Sequence, residues 1–198
     1  MISIALPKGR LGHAALERMG GADGACTLEG QGRRLVLEDE ARNVRYFLVK
    51  PSDTAIYVEH GVADIGIAGR DVLLETRPDV YELHDLGFGR CSMAVAAPMG
   101  WHDARNAPLR IATTYPTCAR EHFDRKGRQI ETITLHGSVE LAPLLGLSDV
   151  IVDLVETGTT LRENGLEAVE RIFESSARLI ANKSSYLFKR AEIDAVIQ

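Results

Sequence analysis

The sequence predicts an α/β fold with mostly parallel sheets. Three observations predict it. Short apolar runs recur along the chain, cut by glycine, proline and charge. Helix-like stretches alternate with those runs. One run, Val150–Val155, is apolar except for Asp153, the composition of a parallel strand buried on both faces.

The elements follow in order. Residues 2–6 read as a strand that stops at Pro7. Residues 35–37 and 46–49 read as a pair of strands around a polar turn region at 38–43. Residues 56–61 suit a short helix with Gly61 in the C′ position, where a left-handed residue commonly ends a helix. Residues 64–68 form a further strand, followed by the turn Gly69-Arg70-Asp71 and a helical 72–75. Small apolar residues at 93–97 end at Pro98. Residues 110–113 and 131–135 are strands flanking a charged amphipathic helix at 119–126. Residues 168–175 read as helix or strand, because Val169, Ile172 and Phe173 are too few to fix the period. Residues 20–34, rich in glycine and charge, read as a loop.

A chain of 198 residues holds one large domain or two small ones, and a boundary near residue 90 gives halves of similar size with room for a cleft. A net charge of −5 argues against non-specific nucleic-acid binding, so a polyanionic substrate needs a local basic cluster. Cys26, Cys91 and Cys118 are odd in number and lack C-x-x-C spacing, as expected of reduced thiols in a cytoplasmic protein. No apolar stretch approaches the roughly 20 residues that span a bilayer, and residues 1–7 lack the basic start of a signal peptide. His13, His60, His84, His102, His122 and His136 show no metal-ligand spacing, so no protein-bound metal is expected. Gly87-Phe88-Gly89 lacks the third glycine of a dinucleotide fingerprint, and Lys8-Gly9 lacks the frame of a P-loop.

The sharpest local signal follows the buried run. Glu156 leads into Thr157-Gly158-Thr159-Thr160, and a helical stretch at 161–164 ends at Gly165. Three hydroxyls and several backbone N–H groups converge where a helix starts, a place that favours phosphate. Gly158 lets the backbone approach the anion with no Cβ between. Asp153 and Glu156 stand where carboxylates accept hydrogen bonds from ribose hydroxyls. Alone, such a loop reads as a threonine capping a helix. The buried strand and two acids ahead of it tip the reading towards a phosphoribosyl ligand.

This stretch resembles the phosphoribosyl pyrophosphate loop of phosphoribosyltransferases. Base-salvage members carry two adjacent acids, whereas here the acids stand apart, as in the ATP phosphoribosyltransferase family. Further blocks resemble that family in order. They are residues 5–11 (ALPKGRL), 51–61 (PSDTAIYVEHG), 63–71 (ADIGIAGRD), 136–143 (HGSVELAP), 153–166 and 176–182 (SARLIAN). The resemblance covers nearly the whole chain.

It implies two α/β domains like those of periplasmic binding proteins, with the active-site cleft between them. Residues 1–89 plus 178–198 would form the first domain and 90–177 the second. It implies transfer of phosphoribosyl from phosphoribosyl pyrophosphate to N1 of ATP, releasing pyrophosphate with Mg²⁺ as its counter-ion, at the first step of histidine biosynthesis. Because the chain ends at Gln198, soon after the last block, the resemblance is to the short form. That form works with a histidyl-tRNA-synthetase-like regulatory subunit, as a homodimer within a hetero-oligomer.

By the same resemblance Thr157, Gly158, Thr159 and Thr160 hold the 5′-phosphate, while Glu140, Asp153 and Glu156 face the ribose. Lys8, Gly9 and Arg10 grip phosphates of ATP. Arg10 and Arg33 supply positive charge during catalysis. Arg70 and Asp71, at a strand's carboxyl end, and Lys50 complete the ATP set; the alternative for Asp71 is a helix N-cap. Lys50 stands where the family often has arginine, which keeps the charge but loses the bidentate fork. A binding-only relative that senses a phosphorylated ligand is the alternative function, and a base-salvage transferase is a second one.

Overall fold

The computed structural model describes residues 1–19, 35–104 and 106–197. In chain order its strands are β1 (Ile2–Pro7), β2 (Val36–Asp39), β3 (Val44–Val49), β4 (Ile65–Gly69), β5 (Tyr81–Asp85) and β6 (Cys91–Pro98). Then come β7 (Leu109–Thr113), β8 (Ile130–Thr134), β9 (Val150–Val155), β10 (Leu166–Ser175) and β11 (Ala177–Ala181). The helices are α1 (Arg10–Arg18), α2 (Thr54–Glu59), α3 (Arg70–Thr76) and α4 (Pro116–Asp124). They continue with α5 (Leu141–Leu144), α6 (Thr159–Glu163), α7 (Lys183–Phe188) and α8 (Arg190–Ile197). The chain divides into one unit of Met1–Gly89 with Ser176–Gln198 and another of Arg90–Ser175. The return thus starts two residues before position 178, because Ala177 already pairs with Gly69 in the first sheet.

The first unit's sheet runs β2-β3-β1-β4-β11-β5. β1 pairs in parallel with β3 and β4, while β2–β3, β4–β11 and β11–β5 are antiparallel. The sheet is therefore mixed, not mostly parallel. A tight turn joins β2 to β3, with Asn43 at φ 56° and the Asp39 carboxylate accepting from the Arg42 N–H at 3.1 Å, and so short a link permits only antiparallel pairing. β1 is buried on both faces: Ile2, Ile4 and Leu6 pack with Leu16 of α1 and Ile193 of α8, and Ala5 packs with Val58 of α2 and Val72 of α3. Full burial of side chains such as Ile4 and Leu6 contributes roughly 2 kcal/mol each.

One buried charge ties this unit's ends together. Asp64 accepts from the Ser3 N–H through Oδ2 and from Lys189 Nζ through Oδ1, both at 2.9 Å. Burial alone would raise its carboxyl, but the Ser3 N–H and the Lys189 ammonium outweigh burial and hold it below the ordinary value.

The second unit's sheet runs β10-β6-β9-β7-β8. β9, β7 and β8 are parallel, and β6 and β10 are antiparallel to their neighbours. One face, with Met93, Val95 and Val152, packs on Ala119 and Phe123 of α4. The other, with Ala96, Ala112 and Ile151, packs on Ala142 of α5 and Leu161 of α6. The stretch left open between helix and strand is β10. Its pairing with β6 from Leu166↔Pro98 to Ser175↔Cys91, through two register shifts, overrides local periodicity. Among the described residues no helix is long and apolar enough to cross a membrane.

Candidate functional site

In each unit three parallel strands release their following loops at one edge of the sheet, the edge where open α/β sheets hold ligands. In the second unit β9 leads into residues 156–158, β7 into 114–115, and β8 into 135–140.

The loop after β9 is shaped by one glycine and two hydroxyls. Gly158 sits in the left-handed region at φ 71° and caps the short helix α6, with no side-chain cap. Thr157 Oγ1 and Thr159 Oγ1 lie 3.1 Å apart, and the Thr159 N–H points at Thr157 Oγ1 at 3.5 Å. Both threonines are exposed. Asp153 lies between Ile151 and Val155, which pack towards α5 and α6, so the period of two puts Asp153 on that same sheet face. Glu140 is the N-cap residue of α5 and is half-buried at the end of the loop after β8. That loop turns through Gly137 at φ 152° and Ser138 at φ 48°. The structure thus gathers Glu140, Asp153, Glu156, Thr157, Gly158, Thr159 and Thr160 on one edge of one unit.

Two features of this edge escape sequence reasoning. Thr113, fully buried at the end of β7, donates its hydroxyl to the Val152 carbonyl at 2.6 Å and accepts from the Tyr115 N–H at 2.8 Å. It fixes the loop after β7 against β9, one residue before Asp153. The signal available was a threonine closing an otherwise apolar strand. The second is Arg162, whose guanidinium folds back on the loop: Nη1 donates to the Thr157 carbonyl at 3.2 Å and Nη2 to Thr159 Oγ1 at 3.3 Å.

The first unit's edge is basic. Lys8 follows β1, Lys50 follows β3, and Arg70 follows β4. The Lys8 N–H donates to the Val49 carbonyl at 2.7 Å, which sets Lys8 beside Lys50. Gly9, at φ 91°, caps α1, so Arg10 is the helix's first residue instead of a loop residue. Gly12, buried one turn on, lies so close to the end of β1 that a Cβ there would overlap the Pro7 carbonyl oxygen. Lys50 opens a 3₁₀ turn, Pro51–Asp53, with its carbonyl accepting from the Asp53 N–H at 2.9 Å. Arg70 and Asp71 lie inside α3, not in a turn before it. Gly69 is the cap, which corrects the N-cap alternative for Asp71; the buried Asp71 carboxylate curls back over Gly69. Arg33 lies outside the described residues.

The family model HisG, described as ATP phosphoribosyltransferase, matches residues 50–198. An ATP phosphoribosyltransferase of Thermoanaerobacter sp. (strain X514) is 51% identical, over 99% of this chain and 92% of that one. One from Clostridioides difficile (strain 630) is 48% identical, over 100% and 95%. Among solved structures, the ATP phosphoribosyl transferase (HisG:HisZ) complex from Thermotoga maritima superposes with a TM-score of 0.87 at 36% identity, covering 100% of this chain and 94% of that one. The periplasmic aliphatic sulphonate binding protein SsuA from Escherichia coli matches with a TM-score of 0.60 at 11% identity, covering 98% and 69%, a likeness of fold alone. Strand-following loops of this composition and full-length matches at about half identity converge: the chain belongs to the ATP phosphoribosyltransferase family of histidine biosynthesis.

Proposed function

We propose that the two edges divide the substrates, phosphoribosyl pyrophosphate on the second unit and ATP on the first. The observation that carries this reading is the loop after β9, where Gly158 at φ 71° lets two threonine hydroxyls lie 3.1 Å apart beside the carboxylate-bearing end of a buried strand. Residues 157–160 take the 5′-phosphate through hydroxyls and backbone N–H groups. Asp153, Glu156 and Glu140 take the ribose. Lys8, Gly9, Arg10, Lys50, Arg70 and Asp71 take ATP, and Arg10 with Arg33 supplies fixed positive charge to the departing pyrophosphate.

The charges suit the chemistry. Adenine N1 forms a bond to C1 of the ribose as the C1–pyrophosphate bond breaks, giving phosphoribosyl-ATP and pyrophosphate. The ribose becomes oxocarbenium-like, and carboxylates stabilise that positive charge. Negative charge grows on the leaving group, where arginines stabilise it. No protein nucleophile is needed; orientation and fixed charge do the catalysis. Mg²⁺ arrives on the pyrophosphate as part of the substrate. The protein works with a histidyl-tRNA-synthetase-like regulatory subunit, a reading supported by the likeness to a relative solved as a HisG:HisZ complex, and its place of action is the cytoplasm.

Titrating phosphoribosyl pyrophosphate into Thr159→Val tests the loop. The expected result is an affinity about tenfold weaker with the thermal midpoint unchanged. Unchanged affinity in the folded variant would remove the loop from the site.

A further inference from the structure

Residues 156–160 contain no cation, and two carboxylates, Asp153 and Glu156, stand just ahead of the phosphate loop. Arg162, one turn into α6, brings a positive charge to it. The exposed side chain does not run out into solvent; it bonds to the loop at two points, the Thr157 carbonyl at 3.2 Å and Thr159 Oγ1 at 3.3 Å. Nη1 is also the atom a Cβ at position 158 would meet, at 3.3 Å, so the guanidinium lies directly against Gly158.

A guanidinium has donors and no acceptor. Towards Arg162, Thr159 Oγ1 is therefore an acceptor. Its own proton is left for Thr157 Oγ1, 3.1 Å away, or for a ligand. Two hydroxyls share two protons, and at most one is used between them. At least one proton of the pair is left over for a third acceptor, and a charged donor behind the pair strengthens it as a donor.

We propose that Arg162 is a positioning residue for phosphoribosyl pyrophosphate: it clasps the Thr157 carbonyl and the Thr159 hydroxyl, and so turns the loop's hydroxyl protons towards the 5′-phosphate. This rests on the reading of residues 157–160 as the phosphate loop. The clasp is made by the side chain alone. The Gly165 N–H donates to the Arg162 backbone carbonyl at 3.1 Å, a bond that glutamine or lysine at 162 can still accept.

The test compares Arg162→Gln, Arg162→Lys and Thr159→Val with the parent. It measures KM for each substrate, direct titration of phosphoribosyl pyrophosphate, and the thermal midpoint. Arg162→Gln is expected to raise KM and Kd for phosphoribosyl pyrophosphate about tenfold, leaving KM for ATP and the midpoint in place. Lysine keeps the charge without the two-pronged fork, so Arg162→Lys recovers only part of the loss. Full recovery by lysine would overturn the clasp in favour of charge alone. A KM for phosphoribosyl pyrophosphate that does not move, or equal rises for both substrates, would also overturn it. If Thr159→Val weakens binding and Arg162→Gln does not, the clasp alone falls. If neither weakens it, the loop reading falls and takes the clasp with it.

Discussion

The carboxyl edges of the two sheets differ in the materials they offer to an anion. The second unit's edge presents threonine hydroxyls, backbone N–H groups and three carboxylates, with Arg162 folded behind them. The first unit's edge presents Lys8, Lys50 and Arg70 at the ends of three adjacent strands. The chain carries a net charge of −5, yet three of its basic side chains stand together at these strand ends. On the proposed division, the edge bearing carboxylates takes the sugar that becomes positive, and the basic edge takes the triphosphate. Net charge alone tells neither story.

The comparison extends to what braces each sheet at its opposite, amino-terminal end. In the first unit Asp64 is buried, and it braces β1 through the Ser3 N–H and Lys189. In the second, Asp149 braces β7 by accepting from the Arg110 N–H at 2.9 Å and Nη2 at 2.6 Å, but its side chain is 32% exposed. Asp64→Asn is expected to cost about 3 kcal/mol in chemical denaturation, because a buried N–H and an ammonium lose their charged partner. Asp149→Asn costs much less, since solvent screens the pair. Both carboxyls are held below their ordinary value: Asp149 by Arg110, and Asp64 by the Ser3 N–H and Lys189 against its burial. Their stabilisation is therefore complete above the ordinary value of 3.8 and is lost as pH falls through the lower folded value. Each Asn variant is expected to lose the share of acid destabilisation that its own carboxyl supplies between the lowered folded value and the ordinary one, read from denaturation over a pH series. An acid dependence unchanged in either variant would contradict that carboxyl's role.

Gly12→Ala probes the first edge's geometry and is expected to cost about 2 kcal/mol in thermal unfolding, because the new Cβ pushes α1 off the Pro7 carbonyl. Helix propensity alone predicts the opposite sign. Lys8→Ala is the mirror of Thr159→Val: KM for ATP rises about tenfold while KM for phosphoribosyl pyrophosphate holds. The same substrate affected in both variants would break the division between the edges.

The smallest effect lies away from both edges. His122 Nε2 is buried 3.2 Å from Glu170 Oε1 in an orientation that makes no hydrogen bond. Burial lowers its pKa, and nearby Glu170 only partly restores it. The unfolded chain therefore takes up the proton first. Stability declines as pH falls below the ordinary imidazole value of 6.5, and His122→Gln removes that decline from a pH series of thermal midpoints.

What could be read from the sequence follows burial. β1, β4 and β9 are apolar runs buried on both faces, so composition alone marks them. Sequence places Arg10 in the loop after β1, whereas α1 begins there and needs the glycine at 12 to pass the Pro7 carbonyl. β10 was ambiguous because its partner β6 lies some 70 residues earlier, and long-range pairing leaves no local period. The mixed sheets were missed for the same reason: β11 enters the first sheet from the far end of the chain. The threonine loop was legible because its residues are consecutive. Arg162 was not, since an arginine on a short polar helix looks like solvated surface until its side chain is seen to fold back.

The most direct test of the central claim is release of pyrophosphate from ATP and phosphoribosyl pyrophosphate with Mg²⁺, with the product identified by mass, with and without the synthetase-like subunit. The expected product is phosphoribosyl-ATP, formed only when both substrates are present, not formed with adenine or guanine in place of ATP, and formed faster with the partner. Tight binding of phosphoribosyl pyrophosphate with no product in either preparation would contradict it and leave a protein that only binds the ligand.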